Sequence, residues 1–408
     1  RLRSRGLGDV YKRQILYYTW NEIIKTDVIQ TFIKMGYEVS SFEYELKSYI
    51  KDVEFLERLE SELNRANQSG KGYDFIFSCN FIPLISKIAL RNKTPYVCWI
   101  YDSPCMTMYS EMVFNPYNYM FHFDLSEVER VKKLGVSHIY HLPLAVNIER
   151  VNNVIKQATT VSWKYVNNGV AFMGNLYNDE VDFIESIAGL PDYEKGYMKS
   201  LELAQLTMPG TDLIEELFDD YYNQRLNRYV SFSKEKEFFI KDTELALNMI
   251  KKNISSMERI KMLEILSSKC DVTLYSDSKK QCLPAVRKRG YIDYMKEMPV
   301  MFANSKVNLN ITLRNIKTGI PLRALDIMGA GGFLLTNYCY ELSEYMNDGD
   351  DYVTFIDSEE CCDKAEFYIK HDEKRKRIAR NGQDKIIKMF TYDNQISKMM
   401  EILRKEIS

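Results

Sequence analysis

From residue 15 onward, short apolar runs of strand length alternate with stretches of helix length, and the alternation passes through the chain twice. ILYYT (15–19) is followed by TDVIQTFIKMGYEV (26–39), which reads as a helix capped by Thr26, ended by a left-handed Gly36 and continued as a second strand. YDFIFSCNF (73–81), YVCWIYD (96–102), YMFHFD (119–124) and IYHLPLAVN (139–147) are further buried runs. PLISKIALRN (83–92) and SEVERVKKLG (126–135) are helices between them. Apolar runs separated by helices are the signature of parallel βαβ units. The pattern predicts a doubly wound, Rossmann-like domain over 15–166, ending in a polar connector from about residue 148.

A second domain of the same class is expected over 167–385. Its strands are NGVAFMGNLY (168–177), DVTLYS (271–276), VNLNITL (307–313), FLLTN (333–337) and YVTFID (352–357). MERIKMLEILSSK (257–269) and PLRALDIMGAG (321–331) are the clearest helices between them. Residues 180–255 carry no strand pattern and read as a helical insertion, as in DLIEELFDDYYNQRL and ELALNMIKKNI. A charged helix over 386–408 closes the chain. Ligands of such sheets bind outside the carboxyl ends of the strands, so two such domains are expected to face a cleft that holds the function.

Residues 1–14, RLRSRGLGDVYKRQ, break the pattern. They hold five basic residues and one acid, with no apolar core for a signal peptide, and DVYKRQ resembles the translation of a sequencing-library adapter. They are expected to be a non-native extension, the alternative being a native basic arm. The whole chain balances 55 Lys+Arg against 57 Asp+Glu; without the extension, 50 basic and 56 acidic residues leave a charge of −6. This excludes a broad electrostatic claim on nucleic acid, so phosphate must be held by a few placed groups. No apolar run is long enough to span a bilayer. Eight cysteines show no CxxC pair and no His at zinc spacing, so neither a metal site nor disulfides are expected, and a cytosolic location is.

The most informative stretch is VNLNITLRNIKTGIPLRALDIMGAGGFLLTN (307–337). A strand ends near Arg314, a loop carries Lys317, Thr318 and Gly319, and Pro321 suits the first turn of a helix. The open amides of such a helix end suit a diphosphate. Arg323 is placed to reach phosphate, and Asp326, three residues on, to accept ribose hydroxyls. The two side chains could equally pair with each other across one turn. Gly174, with Asn175 beside it, is the strand-to-helix glycine where phosphate could approach the backbone. Gly329, Gly331 and Gly332 follow a helix and precede a strand, the wrong order for a dinucleotide fingerprint.

The segments ILYYTWNE, WIYDSP, FHFD, HLPLAVN, AFMGNLY, MERIKMLEIL, GYIDYMKEMP, VNLNITLRNIKTGIPLRALDIMGAGGFLLTN and IARNGQDKI, in this order, resemble the CgeB-type family of bacterial spore-maturation proteins. The second half is similar to its glycosyltransferase family 1-like domain, and the first half to the uncharacterised domain that precedes it. The resemblance implies a GT-B fold that transfers a sugar from a nucleotide-diphosphate donor, a UDP-sugar first, with no further cofactor and no metal. By position it puts Asp326 on the ribose, Arg323 and the Lys317–Gly319 loop near the diphosphate, Arg259 facing the phosphates from the start of its helix, and Tyr291 with Gly290 beside the base. Retaining relatives carry a glutamate eight residues before the ribose carboxylate; here that position is Thr318, and the ribose carboxylate is an aspartate.

In the first domain Asp102, after its strand, is a candidate for the base that an inverting transfer requires, or a helix cap. His122 is a second candidate, or a core histidine, and His141 is read in the same way. Trp20 and Asn21 are candidates for acceptor contact. The run Asp348–Asp351 invites a manganese reading, but its turn-forming sequence favours a solvated turn. The expected function is transfer of a hexosyl-type sugar to the hydroxyl of a cell-surface, spore-coat or protein acceptor. The alternative is a catalytically silent GT-B module that binds a sugar nucleotide or scaffolds surface assembly. An epimerase on the same scaffold is disfavoured, because no matching acid–base cluster is found.

Overall fold

The computed structural model describes residues 13–158, 167–179, 182–208, 210–218, 220–232, 234, 236–279 and 283–407. Most of the suspected extension (1–12), part of the connector (159–166) and Cys282 lie outside the described residues. Of the described residues, those up to 122, 131–140 and beyond 395 form one compact unit; those within 123–130 and 141–395 form the other.

The first unit is built on strands β1 (Gln14–Thr19), β2 (Glu38–Glu43), β3 (Phe75–Cys79), β4 (Tyr96–Ile100), β5 (Asn118–His122) and β6 (Ile139–His141), in the order β2-β1-β3-β4-β5-β6. Its recorded pairings are parallel. Every residue of β3, β4 and β5 is buried, as strands covered on both faces require. The edge strand β2 instead exposes its polar residues and half-buries only Val39 and Phe42. The first helix, Lys25–Lys34, starts one residue before Thr26, and its N-cap Ile24 makes no side-chain cap bond, so Thr26 is not the cap. Gly36 ends it at φ +91° as expected. The run expected as a strand over 139–147 is extended only to His141, because Pro143 has no N–H to donate to a ladder.

The second unit contains β7 (Asn167–Met173), β8 (Val272–Tyr275), β9 (Arg287–Lys288), β10 (Ser305–Asn310), β11 (Leu334–Asn337) and β12 (Val353–Phe355), in the order β12-β11-β10-β7-β8-β9, again parallel. The sequence reading missed β9, which has two exposed polar residues and no apolar run to betray it. The sequence pattern also predicts a separate helix from 257. The chain instead forms one 28-residue helix, Asp242–Lys269, with no breaker between its halves. Its first half, through Ala246, Ile250 and Ile254, packs with Phe183, Ile184, Met198 and Ile214 of the insertion. Its second half, through Met262, Leu263 and Leu266, packs on the sheet with Val170, Leu274 and Val307. Arg259 therefore lies where the helix passes from insertion to sheet.

The tail is two helices, Asp372–Met389 and Tyr392–Glu406. Asp348 accepts from the amide of Thr354 at 2.8 Å, and Asp351 from the amide of Asn347 at 2.9 Å, which closes the acidic run into a turn. The seven described cysteines are free thiols. Among the described residues no helix is long and apolar enough to cross a membrane.

Candidate functional site

In the second sheet β7 lies between β8 and β10, so the strand order reverses between β7 and β10. A crevice at the carboxyl ends of such a pair is where doubly wound sheets take ligands. Gly174 follows β7 there, its amide donating to the carbonyl of Tyr275 at 3.1 Å. Arg259 bridges the two strand ends: Nη1 donates to the carbonyl of Asn175 at 2.6 Å, while Nε and Nη2 donate to that of Ile311 at 3.3 and 2.7 Å. Its guanidinium also lies over the rings of Phe172 and Tyr177. Burial lowers the Arg259 pKa from its ordinary value, with Tyr177 opposing and the nearby charge of Arg323 adding to the shift.

The helix Leu322–Gly329 begins after Pro321, which is its N-cap residue rather than part of its first turn. Arg323 extends to the end of β7, with Nη1 3.4 Å from Sδ of Met173 and 2.9 Å from Sδ of Met298. Its side chain is 27% exposed and only 3.8 Å from Oδ2 of Asp326, a loose contact rather than a tight ion pair. Asp326 is 2% exposed, and its Oδ1 accepts from the hydroxyl of Tyr294 at 2.9 Å. Sequence reasoning missed Tyr294 as the partner; the only trace of it is the aromatic pair in YIDY (291–294). Arg150 stacks over the Tyr294 ring at 5.6 Å.

Lys317, Thr318 and Gly319 lie on the loop between β10 and that helix. The Lys317 ammonium is bonded to Glu215 of the insertion. Burial would raise the Glu215 carboxyl, but hydrogen bonds from Lys251 and Lys317 bring it down to about 2. A Cβ on Gly319 would lie 2.7 Å from the ring of Phe123 and 2.9 Å from Cα of Asp124, so close packing dictates glycine here. Lys317 and Gly319, with Thr312, Arg314, Asp212 and Glu215, line part of a cavity of about 1090 Å³ beside the carboxyl ends of β10, β11 and β12. Tyr291 follows Gly290 (φ +76°) and is 75% exposed.

In the first unit, Asp102 follows β4 with Oδ2 accepting from Nδ2 of Asn80 at 2.7 Å. The next turn, Met106–Tyr109, has Cys105 as its N-cap with no side-chain bond, so Asp102 does not cap it. Burial raises the Asp102 carboxyl and the Asn80 bond opposes this. His122 ends β5 with 0% exposure and offers no surface to a ligand in this conformation, which favours its packing reading. His141, which belongs to the second unit, bonds through Nε2 to Glu341 of the same unit at 2.7 Å. Trp20 is exposed at the end of β1, and Nδ2 of Asn21 donates to Glu43 at 2.8 Å.

Comparison with known proteins agrees with this architecture. A family model described as glycosyl transferase-like matches residues 256–401, a stretch that holds Arg259, Tyr291, Lys317, Gly319, Arg323 and Asp326. No curated protein matches the chain. Among solved structures, a glycosyltransferase from Rickettsia africae is 9% identical, with 97% of this chain and 99% of that one covered, at a TM-score of 0.54. A UDP-forming α,α-trehalose-phosphate synthase from Burkholderia xenovorans is 10% identical, with 97% and 100% covered, at 0.51. HepE from Anabaena, solved with UDP and glucose, is 10% identical, with 96% and 100% covered, at 0.50.

The fold is GT-B. Within this GT-B chain the matched stretch starts inside the Asp242–Lys269 helix and omits Gly174, Asn175 and the whole insertion. The insertion residues that reach the Lys317 loop are thus outside it.

Proposed function

We propose that the protein is a glycosyltransferase that moves a sugar from a nucleotide-diphosphate donor, a UDP-sugar, to an acceptor hydroxyl. The observation that carries the reading is the placement of two guanidinium groups, Arg259 and Arg323, around the end of β7 at the point where the strand order reverses. Two like charges held close in a half-buried crevice repel unless an anion lies between them. A diphosphate supplies that anion, and the same groups stabilise it as it leaves. The CgeB-type motifs and the solved complex of HepE with UDP-glucose support the choice of a UDP-sugar.

In this reading Gly174 and Asn175 border the phosphates and Asp326 the ribose, Tyr291 flanks the base, and basic side chains replace a metal at the diphosphate. Asp102 is the base for an acceptor. A panel of nucleotide sugars screened by thermal shift tests the reading, with UDP-sugars expected to raise the melting temperature most. No shift from any member would overturn it. A transferase also releases free nucleotide faster when its acceptor is present.

A further inference from the structure

Thr318 lies between the two loop residues assigned to the donor, and its polar atoms are turned toward buried carboxylates. Its amide and that of Lys317 both donate to Asp124, at 3.3 and 3.0 Å. Its hydroxyl is 2.7 Å from Oδ1 of Asp124 and 2.8 Å from Oε1 of Glu341, and it accepts from the amide of Ser126 at 3.1 Å. Its carbonyl accepts from the amide of Glu341 at 3.1 Å. Asp124 and Glu341 are both buried. Glu341 is itself held by the amide of Leu125 at 2.8 Å and by His141. The hydroxyl proton serves one carboxylate at a time, while the amides of Lys317, Thr318 and Glu341 hold the loop from both sides. Gly319, pressed on Phe123, leaves the loop no room to slide.

We propose that Thr318 is a positioning residue for the donor: its hydroxyl, latched between Asp124 and Glu341, sets the loop that carries Lys317 and Gly319 beside the diphosphate. The proposal rests on the donor reading above. A hydroxyl suits the place because it donates and accepts at once. A carboxylate at 318 would add a third negative charge against two buried ones, which is costly. Valine keeps the shape of threonine and removes the latch.

The test is calorimetric titration of UDP into the full chain as wild type, Thr318→Val, Thr318→Ser and Arg323→Ala. Loss of the latch is expected to weaken UDP binding by roughly tenfold in Thr318→Val, the scale of one hydrogen bond to a charged group. Thr318→Ser should stay within about twofold of wild type, since it retains the hydroxyl. If Thr318→Val binds UDP like wild type while Arg323→Ala has lost it, the latch is wrong and the donor reading stands. Equal weakening in Thr318→Ser and Thr318→Val also overturns the latch. If wild type does not bind UDP, or Arg323→Ala binds it unchanged, the donor reading itself falls and the latch with it. Should Thr318→Val fail to fold, Glu341→Gln removes the charge at the other end of the latch. It is expected to weaken UDP in the same direction, and unchanged affinity would reject the proposal.

Discussion

The hydroxyl of Tyr294 donates to Oδ1 of Asp326 at 2.9 Å, across 32 residues of chain. The carboxylate is thus oriented from beneath by its own fold, while Arg323 stands 3.8 Å from its other oxygen. Tyr294 is a third partner that the Arg323–Asp326 spacing does not reveal. It fixes one oxygen of Asp326, while the contact of Arg323 with the carboxylate is loose.

Removing that hydroxyl is expected to destabilise the chain. Tyr294→Phe keeps the ring under Arg150 and costs about 1.5–3 kcal/mol, the range for a buried hydrogen bond to a charged group. Chemical denaturation measures it. Asp326→Ala should in addition abolish UDP binding, and undiminished affinity in that variant would sink the ribose assignment.

Arg259 is expected to be irreplaceable by lysine. One ammonium cannot bridge the carbonyls of Asn175 and Ile311, which take bonds from opposite ends of the guanidinium. Arg259→Lys leaves at least one buried acceptor without its donor, at about 1–3 kcal/mol. The melting temperature and UDP affinity should fall together. A fall in affinity alone would mean that the bridge contributes little to the fold.

The contrast between what could and could not be read in advance follows the range of the interactions. Strands β3, β4 and β5 were legible because burial on both faces writes a continuous apolar run. β9 was not, because two exposed polar residues pair only through their backbone. The helix over 257–269 was legible but its start was not, since only the packing of the insertion reveals that it continues from Asp242. Only family resemblance points to Arg259 as a phosphate ligand. Its bonds to Asn175 and Ile311 depend on the junction of two strands that no local pattern encodes. Thr318 stood out only as a departure, and its partner Asp124 lies 194 residues away.

Stability should depend on pH through Glu202 in the insertion. Burial raises its carboxyl to about 7, against the hydrogen bond from Asn253. A carboxyl raised in the fold favours folding while protonated. The contribution is full below its ordinary value of 4.5 and is lost as pH rises through about 7. On the order of 2 kcal/mol is at stake, less than the full shift implies because solvent screens part of it. Glu202→Gln should flatten the melting profile between about pH 5 and pH 8 and be the more stable form at the upper end. Parallel profiles would rule Glu202 out.

Gly319→Ala tests whether the loop tolerates displacement. The added methyl would press on Phe123 and the backbone at Asp124, so about 1–3 kcal/mol of stability should be lost. UDP affinity should drop with it, because Lys317 and Thr318 move with the loop. An alanine variant with wild-type melting and binding would show that Phe123 yields.

Asp102 is the remaining test of chemistry. Asn80, in left-handed backbone at φ +60°, receives the amides of Tyr101 and Asp102 on Oδ1 and donates through Nδ2 to the carboxylate. One side chain thus sets both the backbone and the carboxylate at the end of β4. Burial raises the carboxyl from its ordinary value, which makes it a stronger base than a free aspartate. Asp102→Asn preserves the shape and removes the proton acceptor. Transfer to acceptor should fall by about 10²–10⁴-fold, the usual worth of a positioned base, with UDP affinity unchanged. Asn80→Ala should lower transfer less and shift the acid limb of its pH profile, because the carboxyl loses the bond that opposes its raised value. Wild-type transfer by Asp102→Asn would remove Asp102 from the reaction.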